Sequence, residues 1–428
     1  MRIAFYTLGC KVNQYDTQMM AEALEQSGHQ TVAFQETADC YIINTCTVTN
    51  MSDKKSRQII SRCKKSNPDA IIVVCGCYSQ VAPEEVSKLE GVDIVLGTAN
   101  RKNIAQYLDA FLANNEKIVA PADLHSEKVL CNESITKFDE KTRAILKIED
   151  GCRNFCSYCA IPYARGDIRS KQPDEIRVEL AKLKSNGYDE VVLTGIHLAS
   201  YGKDLDGIDL ADAIALTATF GFKRIRLGSL EPNIVTEDFL KRISKIHQLM
   251  PSFHLSLQSG CDSVLKRMNR HYTTEEYRRA VKLLRKFYPD CALTTDIIVG
   301  FPGETEEEFA ATLLFAEEMS FAKIHIFPYS PRKGTKAAAM AGQITGDIKA
   351  KRCKQLEKVE HQSRMSFLEK HISQTLPVLF EQKKNNLWEG YTENYLPVCT
   401  QSDDFLSGEI MNVTITHTDG EILFSSIL

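Results

Sequence analysis

The chain has 428 residues, of which 43% are hydrophobic and 25% charged, and its formal net charge is −4. This length predicts two or three domains, each with its own core. The net charge excludes a chain that is basic throughout, so any contact with nucleic acid must be local. No apolar run approaches the roughly 20 residues that cross a bilayer, and the start lacks the pattern of a secretory leader. We therefore expect a cytoplasmic protein that makes no membrane contact.

Residues 1–140 alternate short apolar runs with helical stretches, which predicts an α/β fold with a doubly wound, mostly parallel sheet. The predicted strands are RIAFYTL, HQTVAF, CYIINT, AIIVVC and VDIVLG. The predicted helices cover about residues 16–27, 52–66 and 101–113. Residues 114–142 are more polar and irregular, and we interpret them as a linker.

Residues 141–369 continue the alternation with six candidate strands, RAILKIE, EVVLTG, RIRLGS, FHLSLQ, LTTDIIVG and AKIHIFPYS. Helices are predicted between them at about residues 173–186, 209–220, 236–247, 274–287 and 304–319. Six such units predict an incomplete (β/α)6 TIM-like barrel, whose open side would admit a large substrate. A charged helix is expected to follow at about residues 346–370.

Residues 370–428 change to short strand-like runs separated by turns. These runs are TLPVLFEQ, WEGYTENYLPVCT, GEIMNVTITHT and GEILFSSIL. The pattern predicts a small all-β barrel that is closed or nearly closed.

The sequence GCRNFCSYC places Cys152, Cys156 and Cys159 in one loop after the first strand of the predicted barrel. Fourteen cysteines in a reducing compartment are read first as metal ligands or reactive thiols. Structural zinc usually takes four ligands, and no fourth is visible here. A 4Fe-4S cluster held by three cysteines keeps one iron open for another ligand. We favour the cluster, with zinc or packing as the alternatives.

Three cysteines of the first domain, Cys10, Cys46 and Cys77, each follow or end a predicted strand. Ligands of open α/β sheets lie at the carboxyl ends of strands, so these thiols are expected to converge on a second cluster. Independent packing is the alternative. Cys75 competes with Cys77 because residues two apart on a strand face the same way. The glycines directly before Cys10 and Cys77 allow close backbone approach and favour Cys77. The remaining cysteines are interpreted as packing residues: Cys40, Cys63, Cys131, Cys261, Cys291, Cys353 and Cys399.

The C-x3-C-x2-C loop after the first strand of an incomplete barrel resembles the radical S-adenosylmethionine superfamily. Two three-cysteine sets in this domain order, followed by a small β-barrel, resemble its methylthiotransferases over nearly the whole chain. The strings TLGCKVNQYDTQ, NTCTVTNMSDKKSRQ, GCYSQ and GCRNFCSYCAIPYARGDIRS look most like the MtaB-type subgroup, which modifies N6-threonylcarbamoyladenosine. Sister subgroups act on isopentenyladenosine in tRNA or on an aspartate of a ribosomal protein, and they rank second and third.

The resemblance implies an enzyme that adds a methylthio group to carbon 2 of N6-threonylcarbamoyladenosine at tRNA position 37. It implies two 4Fe-4S clusters, one on each three-cysteine set, and two S-adenosylmethionine molecules per turnover. The implied partners are the tRNA anticodon stem-loop, a sulfur donor and an electron donor such as flavodoxin or ferredoxin, and the expected state is a monomer. The alternative from another class is a non-catalytic RNA-binding protein with structural metal.

The resemblance and the strand ends also suggest residues that face the cofactor or the target. Tyr158 matches the family's aromatic position beside the adenine, although a packed ring is the alternative. Gly195 stands where other members of the superfamily have Gly-Gly-Glu, which leaves the side-chain part of that contact in doubt. The remaining candidates could instead cap helices or form hydrogen bonds with the backbone of loops. They are Ser229, Glu231, Gln258, Asp296 and, near the cofactor's carboxylate, Arg270.

The C-terminal barrel resembles a TRAM domain, an RNA-binding module. Residues 370–428 hold three lysines, no arginine and eight acids, so this domain cannot supply general phosphate attraction. We expect aromatic contacts instead, with packing in the core as the alternative. Basic residues lie at 54–65 and 331–370, where a solvated helix face is the alternative to RNA binding. The candidate RNA contacts are Lys54, Lys55, Arg57, Trp388, Tyr391 and Tyr395.

Overall fold

A computed structural model of the chain describes residues 1–127, 129–130, 134–138 and 142–427, with the backbone alone described at Asn50. The predicted boundary between residues 140 and 141 lies outside the described residues, and so does Cys131. None of the described helices is long and apolar enough to cross a membrane.

The N-terminal part is a six-stranded parallel sheet in the order β2-β1-β3-β4-β5-β6, which confirms the predicted doubly wound α/β fold. Alternate residues of β4 pack into different cores: Val73 lies in one, and Ile72 and Val74 lie in another. Both faces of the sheet are therefore covered, as expected of parallel strands. The elements are β1 (Arg2–Thr7), α1 (Lys11–Gln26), β2 (Gln30–Val32), β3 (Cys40–Thr45), α2 (Asn50–Ser66), β4 (Ile71–Gly76), α3 (Cys77–Val81), α4 (Pro83–Ser87), β5 (Ile94–Leu96), α5 (Ile104–Asn114) and β6 (Ile118–Ala120).

The segment predicted as a linker, residues 114–142, contains the edge strand β6, so this part of the linker prediction was wrong. The strand pairs in parallel with β5, joining Ile94 to Ile118 and Leu96 to Ala120. Three residues are too few to show a hydrophobic period, so the pattern alone did not reveal the strand.

The central part is an incomplete barrel with six parallel strands in chain order, as predicted. Its two three-stranded sheets, β11-β10-β7 and β12-β13-β14, are connected by single bridges such as Leu230 to Leu255. Its elements are β7 (Arg143–Lys147), β8 (Glu149–Asp150), α6 (Ile161–Arg165), β9 (Arg169–Ser170), α7 (Pro173–Ser185), β10 (Glu190–Thr194), α8 (Leu210–Ala218), β11 (Arg224–Leu227), α9 (Glu237–Ile243), β12 (Ser252–His254), α10 (Asp262–Arg267), α11 (Thr274–Phe287), β13 (Ala292–Val299), α12 (Glu306–Met319), β14 (Lys323–Pro328) and α13 (Gly346–Glu369).

The C-terminal part is a closed five-stranded barrel in the order β15-β16-β17-β19-β18. The run WEGYTENYLPVCT was predicted as one strand but forms an antiparallel pair, in which Trp388 lies opposite Thr400. The reversal occurs around Tyr395, which has a positive φ of 66°. The strands are β15 (Thr375–Lys384), β16 (Leu387–Thr392), β17 (Pro397–Gln401), β18 (Ile410–Thr418) and β19 (Leu423–Ile427).

The N-terminal sheet and the central barrel share one continuous apolar core. Ile3 and Ile42 of the sheet belong to the same buried cluster as Ile145 and Val191 of the barrel. Burial of apolar surface therefore fixes the first part of the chain against the second. The C-terminal barrel has a separate apolar core.

Candidate functional site

The loop after β8 brings Cys152, Cys156 and Cys159 together. The backbone N–H of Cys159 donates to the Cys156 carbonyl (2.9 Å), and the Ile161 N–H donates to Cys159 Sγ (3.4 Å). Phe155 turns the loop with a φ of 46°. Burial, together with the neighbouring Cys156, raises the pKa values of Cys152 and Cys159 to about 12. Thiolates in this loop need compensating positive charge, such as that of bound iron.

Arg270 connects this loop to the carboxyl end of β11. Its Nη1 donates to Cys156 Sγ (3.2 Å), and its Nη2 donates to Glu231 Oε1 (2.6 Å). Asn154 also donates to Glu231 (2.9 Å), and His197 Nε2 lies 3.1 Å from Oε2. Burial alone would raise the pKa of Glu231, but His197, Arg270 and Asn154 outweigh it and lower the pKa to about 2. Glu231 is therefore a carboxylate at neutral pH, next to the cysteine loop.

Gly195 packs against the side chain of Glu149, a residue that sequence reasoning missed. A Cβ atom at Gly195 would lie 2.5 Å from Glu149 Oε2. The same oxygen accepts a hydrogen bond from the His197 N–H (2.7 Å), and Oε1 is buried with no hydrogen-bond partner among the described residues. A buried acid, Glu149, therefore lies beside Gly195, where LTGIHLASYG itself has none. In the sequence, the position of Glu149 in KIEDGC, shortly before the first cysteine of the loop, was the feature that could have identified it.

The other candidates from the strand ends lie farther along the barrel. Tyr158 packs edge-on against Phe301, with ring centroids 6.5 Å apart. The Gln258 N–H donates to the Asp296 carbonyl (2.8 Å), and the Asp296 side chain lies 3.4 Å from His254 Nε2. The structure thus brings Glu231 and Arg270 to the cysteine loop, and it places Asp296 beside histidine in the barrel interior.

Cys10, Cys46 and Cys77 also approach one another. A Cβ atom at Gly9 would lie 2.8 Å from Cys46 Sγ. Burial, together with the nearby thiols of Cys77 and Cys10, raises the pKa of Cys46 to about 12. The Cys10 side chain reaches solvent although protein groups surround it, and this enclosure raises its pKa as well. Their three strand ends therefore meet at one place, as the sheet topology requires.

Cys75 lies on the other side of its strand end. Its Sγ contacts Met20 Sδ at 3.8 Å inside the apolar core. Cys77 is instead the first residue of α3, where its Sγ accepts a hydrogen bond from Arg165 Nε (3.3 Å). These contacts favour Cys77 over Cys75 as a ligand.

Arg165 connects the two cysteine sets. It ends α6, which begins two residues after Cys159 and packs on α3. Its guanidinium donates to Cys77, to Asn13 (2.5 Å), to Asp16 (3.0 Å) and to Asp150 (3.1 Å). The arginine itself is completely buried. The two sets therefore lie on either side of one interface.

The buried ion network around Arg165 was not predicted. Asp16 is fully buried and pairs with Arg101 (2.8 Å) and Lys147 (2.5 Å) as well as with Arg165. Its burial would raise its pKa, but these three cations lower the pKa below the ordinary value. Such a network is expected where anionic sulfur ligands need a fixed positive field.

Each set fits a 4Fe-4S cluster in the chemistry of its donors. Each offers three cysteine sulfurs and one arginine N–H directed at sulfur, Arg165 toward Cys77 and Arg270 toward Cys156. Hydrogen bonds to sulfur and a limited ligand count are properties of clusters with an open iron.

Comparison with known proteins identifies two family models in the chain. Residues 2–97 match the uncharacterized protein family UPF0004, and residues 146–316 match the radical SAM superfamily. The threonylcarbamoyladenosine tRNA methylthiotransferase MtaB of Bacillus subtilis is 39% identical over 96% of this chain and 93% of its own length. The chain belongs to the radical S-adenosylmethionine methylthiotransferases. Membership implies S-adenosylmethionine and a 4Fe-4S cluster as cofactors.

Other relatives of this methylthiotransferase are similar over most of their length. MtaB of Aquifex aeolicus is 39% identical over 93% of this chain and 96% of its own. The tRNA-2-methylthio-N(6)-dimethylallyladenosine synthase of Caldicellulosiruptor saccharolyticus is 35% identical over 99% of this chain and 91% of its own. Among solved structures, the radical S-adenosylmethionine methyltransferase TsrM of Kitasatospora setae has a TM-score of 0.57 at 16% identity, covering 77% of this chain and 74% of its own. That likeness concerns the fold.

A cavity of about 370 Å³ lies inside the barrel of the methylthiotransferase and reaches the C-terminal barrel. Tyr391 and Tyr395 line it with their rings stacked at 4.6 Å and 15°. The Arg143 guanidinium lies 5.0 Å from both ring centroids. Other lining residues are Lys11, Arg226, Ser229, His254 and His325.

The remaining candidate RNA contacts are divided between core and surface. Trp388 is 3% exposed and belongs to the apolar core of the C-terminal barrel, so it does not present a ring for base stacking. Its expected RNA contact is corrected to a packing role. Lys54, Lys55 and Arg57 are exposed on α2, where Arg57 donates to Tyr78 (3.0 Å).

Proposed function

We propose that this methylthiotransferase attaches a methylthio group to carbon 2 of N6-threonylcarbamoyladenosine at position 37 of tRNA. The observation that carries the proposal is the placement of two three-cysteine sets across one interface, with Arg165 bonded to Cys77 and following the other set. The substrate assignment is supported by three relatives named threonylcarbamoyladenosine tRNA methylthiotransferase at 38 to 39% identity. Relatives named dimethylallyladenosine synthase reach 34 to 36%.

The two cysteine sets divide the chemistry between them. When bound, a cluster on Cys152, Cys156 and Cys159 supplies the electron that cleaves S-adenosylmethionine to a 5′-deoxyadenosyl radical, and a cluster on Cys10, Cys46 and Cys77 supplies the sulfur that is methylated and transferred. Each turnover then uses two S-adenosylmethionine molecules.

The protein's own groups bind and orient the reactants. Arg270 holds the Glu231 carboxylate beside the loop, and His197 connects Glu231 to Glu149. These two acids are suited to a cationic amino group such as that of S-adenosylmethionine. Arg165, which ends α6 of the barrel, donates to Cys77 and Asp16 of the N-terminal sheet and so fixes the two domains against each other.

The domains have separate tasks in this proposal. Residues 1–140 carry the auxiliary cluster, residues 141–369 form the radical core, and residues 370–428 form a TRAM domain that contacts RNA. The stacked Tyr391 and Tyr395 offer an aromatic wall for a base. The basic face of α2, with Lys54, Lys55 and Arg57, is exposed for phosphate contacts.

The reaction also needs partners that act in turn. Flavodoxin or ferredoxin would deliver electrons, a separate donor would restore the sulfur, and the anticodon stem-loop would bind a monomer. Because the substrate is cytoplasmic tRNA, we place the reaction in the cytoplasm.

The test is mass spectrometry of tRNA nucleosides from a strain lacking this gene. We expect loss of 2-methylthio-N6-threonylcarbamoyladenosine and accumulation of the form without methylthio, with recovery on complementation. Loss of the methylthio form of a dimethylallyl or isopentenyl adenosine instead would contradict the substrate assignment. An unchanged nucleoside profile would contradict the activity.

A further inference from the structure

Lys11 is a cation at a position where the local structure disfavours one. It is the first residue of α1, directly after Cys10, and α1 has no acidic residue in its first turn. The N-terminus of a helix carries partial positive charge, so a lysine there costs stability. Within the described part of the chain, Lys11 has no hydrogen bond or ion pair with another side chain. Its charge is therefore available to a ligand.

The surroundings of Lys11 make an anion the suitable ligand. Lys11 lines the barrel cavity together with Arg143 and Arg226. Arg226 pairs with Glu190 (2.9 Å), which also lies 3.7 Å from Arg143, and Arg143 pairs in addition with Glu381. These pairings occupy both carboxylates and leave neither for Lys11.

The proposed substrate carries an anion at the corresponding place. In N6-threonylcarbamoyladenosine the threonyl group ends in a carboxylate, and the N6 substituent and carbon 2 lie on either side of N1, on the same edge of the base. A group that holds the substituent beside Cys10 would present this edge to the N-terminal cysteine set. The stacked tyrosines, Tyr391 and Tyr395, form another wall of the same cavity.

We propose that Lys11, next to the positive charges of Arg143 and Arg226, binds the carboxylate of the N6-threonylcarbamoyl group and so selects this substrate over adenosines with neutral N6 substituents. This inference rests on the proposed function. Lys11 is a specificity and positioning residue in it, because its contact is with the substituent and not with carbon 2.

The test compares two anticodon stem-loops that differ only in the charge of the substituent. One carries N6-threonylcarbamoyladenosine and the other its methyl ester, and binding to the anaerobically prepared holoenzyme is measured by fluorescence anisotropy. The wild-type protein should bind the acid about tenfold more tightly than the ester, as expected for one charge-assisted hydrogen bond. Lys11→Met should bind both with the affinity of the ester, and Lys11→Arg should keep most of the preference.

Several results would overturn the proposal. These are a wild-type protein without preference, a Lys11→Met variant that keeps the preference, and a Lys11→Arg variant that loses it. A Lys11→Met variant that binds the ester more weakly than wild type would show a role other than reading the carboxylate. If the wild-type protein prefers the acid but produces no methylthio nucleoside from it, the proposed function fails and the assignment of Lys11 as a carboxylate contact stands.

Discussion

Replacing Asp16 with asparagine removes the carboxylate at the centre of the interface between the N-terminal sheet and the barrel. Arg101, Lys147 and Arg165 all lie within 3.0 Å of this fully buried side chain. Breaking a buried ion pair costs about 3–5 kcal/mol because the partner charge is left uncompensated. Asp150 still faces Arg165 (3.1 Å), so we expect the lower end, about 3 kcal/mol.

Urea unfolding of the anaerobic holoenzyme, followed by circular dichroism, measures the loss. Asp167→Asn is the matched control, because Asp167 pairs with Arg153 at a surface where both side chains are more than half exposed, 51% and 62%. This control should lose less than about 1 kcal/mol. Equal losses for the two variants would refute the reasoning.

The pH dependence of stability gives a second measure of the same pair of variants. The pKa of Asp16 is lowered in the folded protein by Arg101, Lys147 and Arg165, which outweigh the effect of burial. The stabilisation that Asp16 contributes is therefore present above the ordinary carboxyl pKa of about 4 and is lost as the pH falls through the lower pKa of the folded state. In Asp16→Asn the free energy of unfolding should fall less steeply as the pH is lowered. A pH dependence equal to that of the wild-type protein would contradict the pairing.

Substitutions at three further residues test other parts of the protein. Glu231→Gln should weaken S-adenosylmethionine binding in equilibrium dialysis about tenfold, because the cofactor's cationic amino group would lose the carboxylate that His197 and Arg270 hold in place. Unchanged binding would contradict this role. Gly195→Ala should lower the thermal midpoint, since its Cβ would lie 2.5 Å from a carboxylate oxygen; a midpoint equal to wild type would exclude that clash. Trp388→Ala should lower the free energy of unfolding by about 3–5 kcal/mol. Trp388→Phe should leave the affinity for the anticodon stem-loop unchanged, and a weaker affinity would support the RNA contact instead.

The order of strands and helices could be predicted because long apolar periods determine it. All six barrel strands and the five helices predicted between them lie where the pattern placed them, within a few residues, whereas the short helices α6 and α10 were not predicted. The edge strand β6 and the turn between β16 and β17 were missed. The strand β6 depends on backbone pairing with β5, and the reversal between β16 and β17 depends on a turn at Tyr395. Neither feature produces a hydrophobic period in the sequence.

The error at Trp388 has a simple geometric reason. Residues of a strand alternate between faces, so Trp388 and Tyr391, three apart on β16, point in opposite directions. Trp388 faces the barrel core and Tyr391 faces the cavity. The sequence shows that the two side chains lie on opposite faces of the strand, but it does not show which of the two faces the barrel core.

The cysteine candidates came from local spacing, whereas the groups around them depend on contacts across the fold. Arg165 meets Cys77 over 88 residues of sequence, and Lys147 meets Asp16 over 131. Lys11 was visible in the sequence only as one charge beside Cys10. Among the described residues, Arg143 and Arg226 pair with Glu190 and Glu381, so that neither acid is left as a counterion for Lys11.

Iron analysis and product analysis of one pair of variants test the two-cluster proposal most directly. Anaerobically reconstituted wild-type protein should hold about eight irons per chain. Simultaneous replacement of Cys10, Cys46 and Cys77 by alanine should leave about four irons and 5′-deoxyadenosine formation but no methylthio-tRNA. The matching replacement of Cys152, Cys156 and Cys159 should abolish both products. A wild-type protein with only about four irons, or methylthio-tRNA made by the first variant, would contradict two clusters acting on one base.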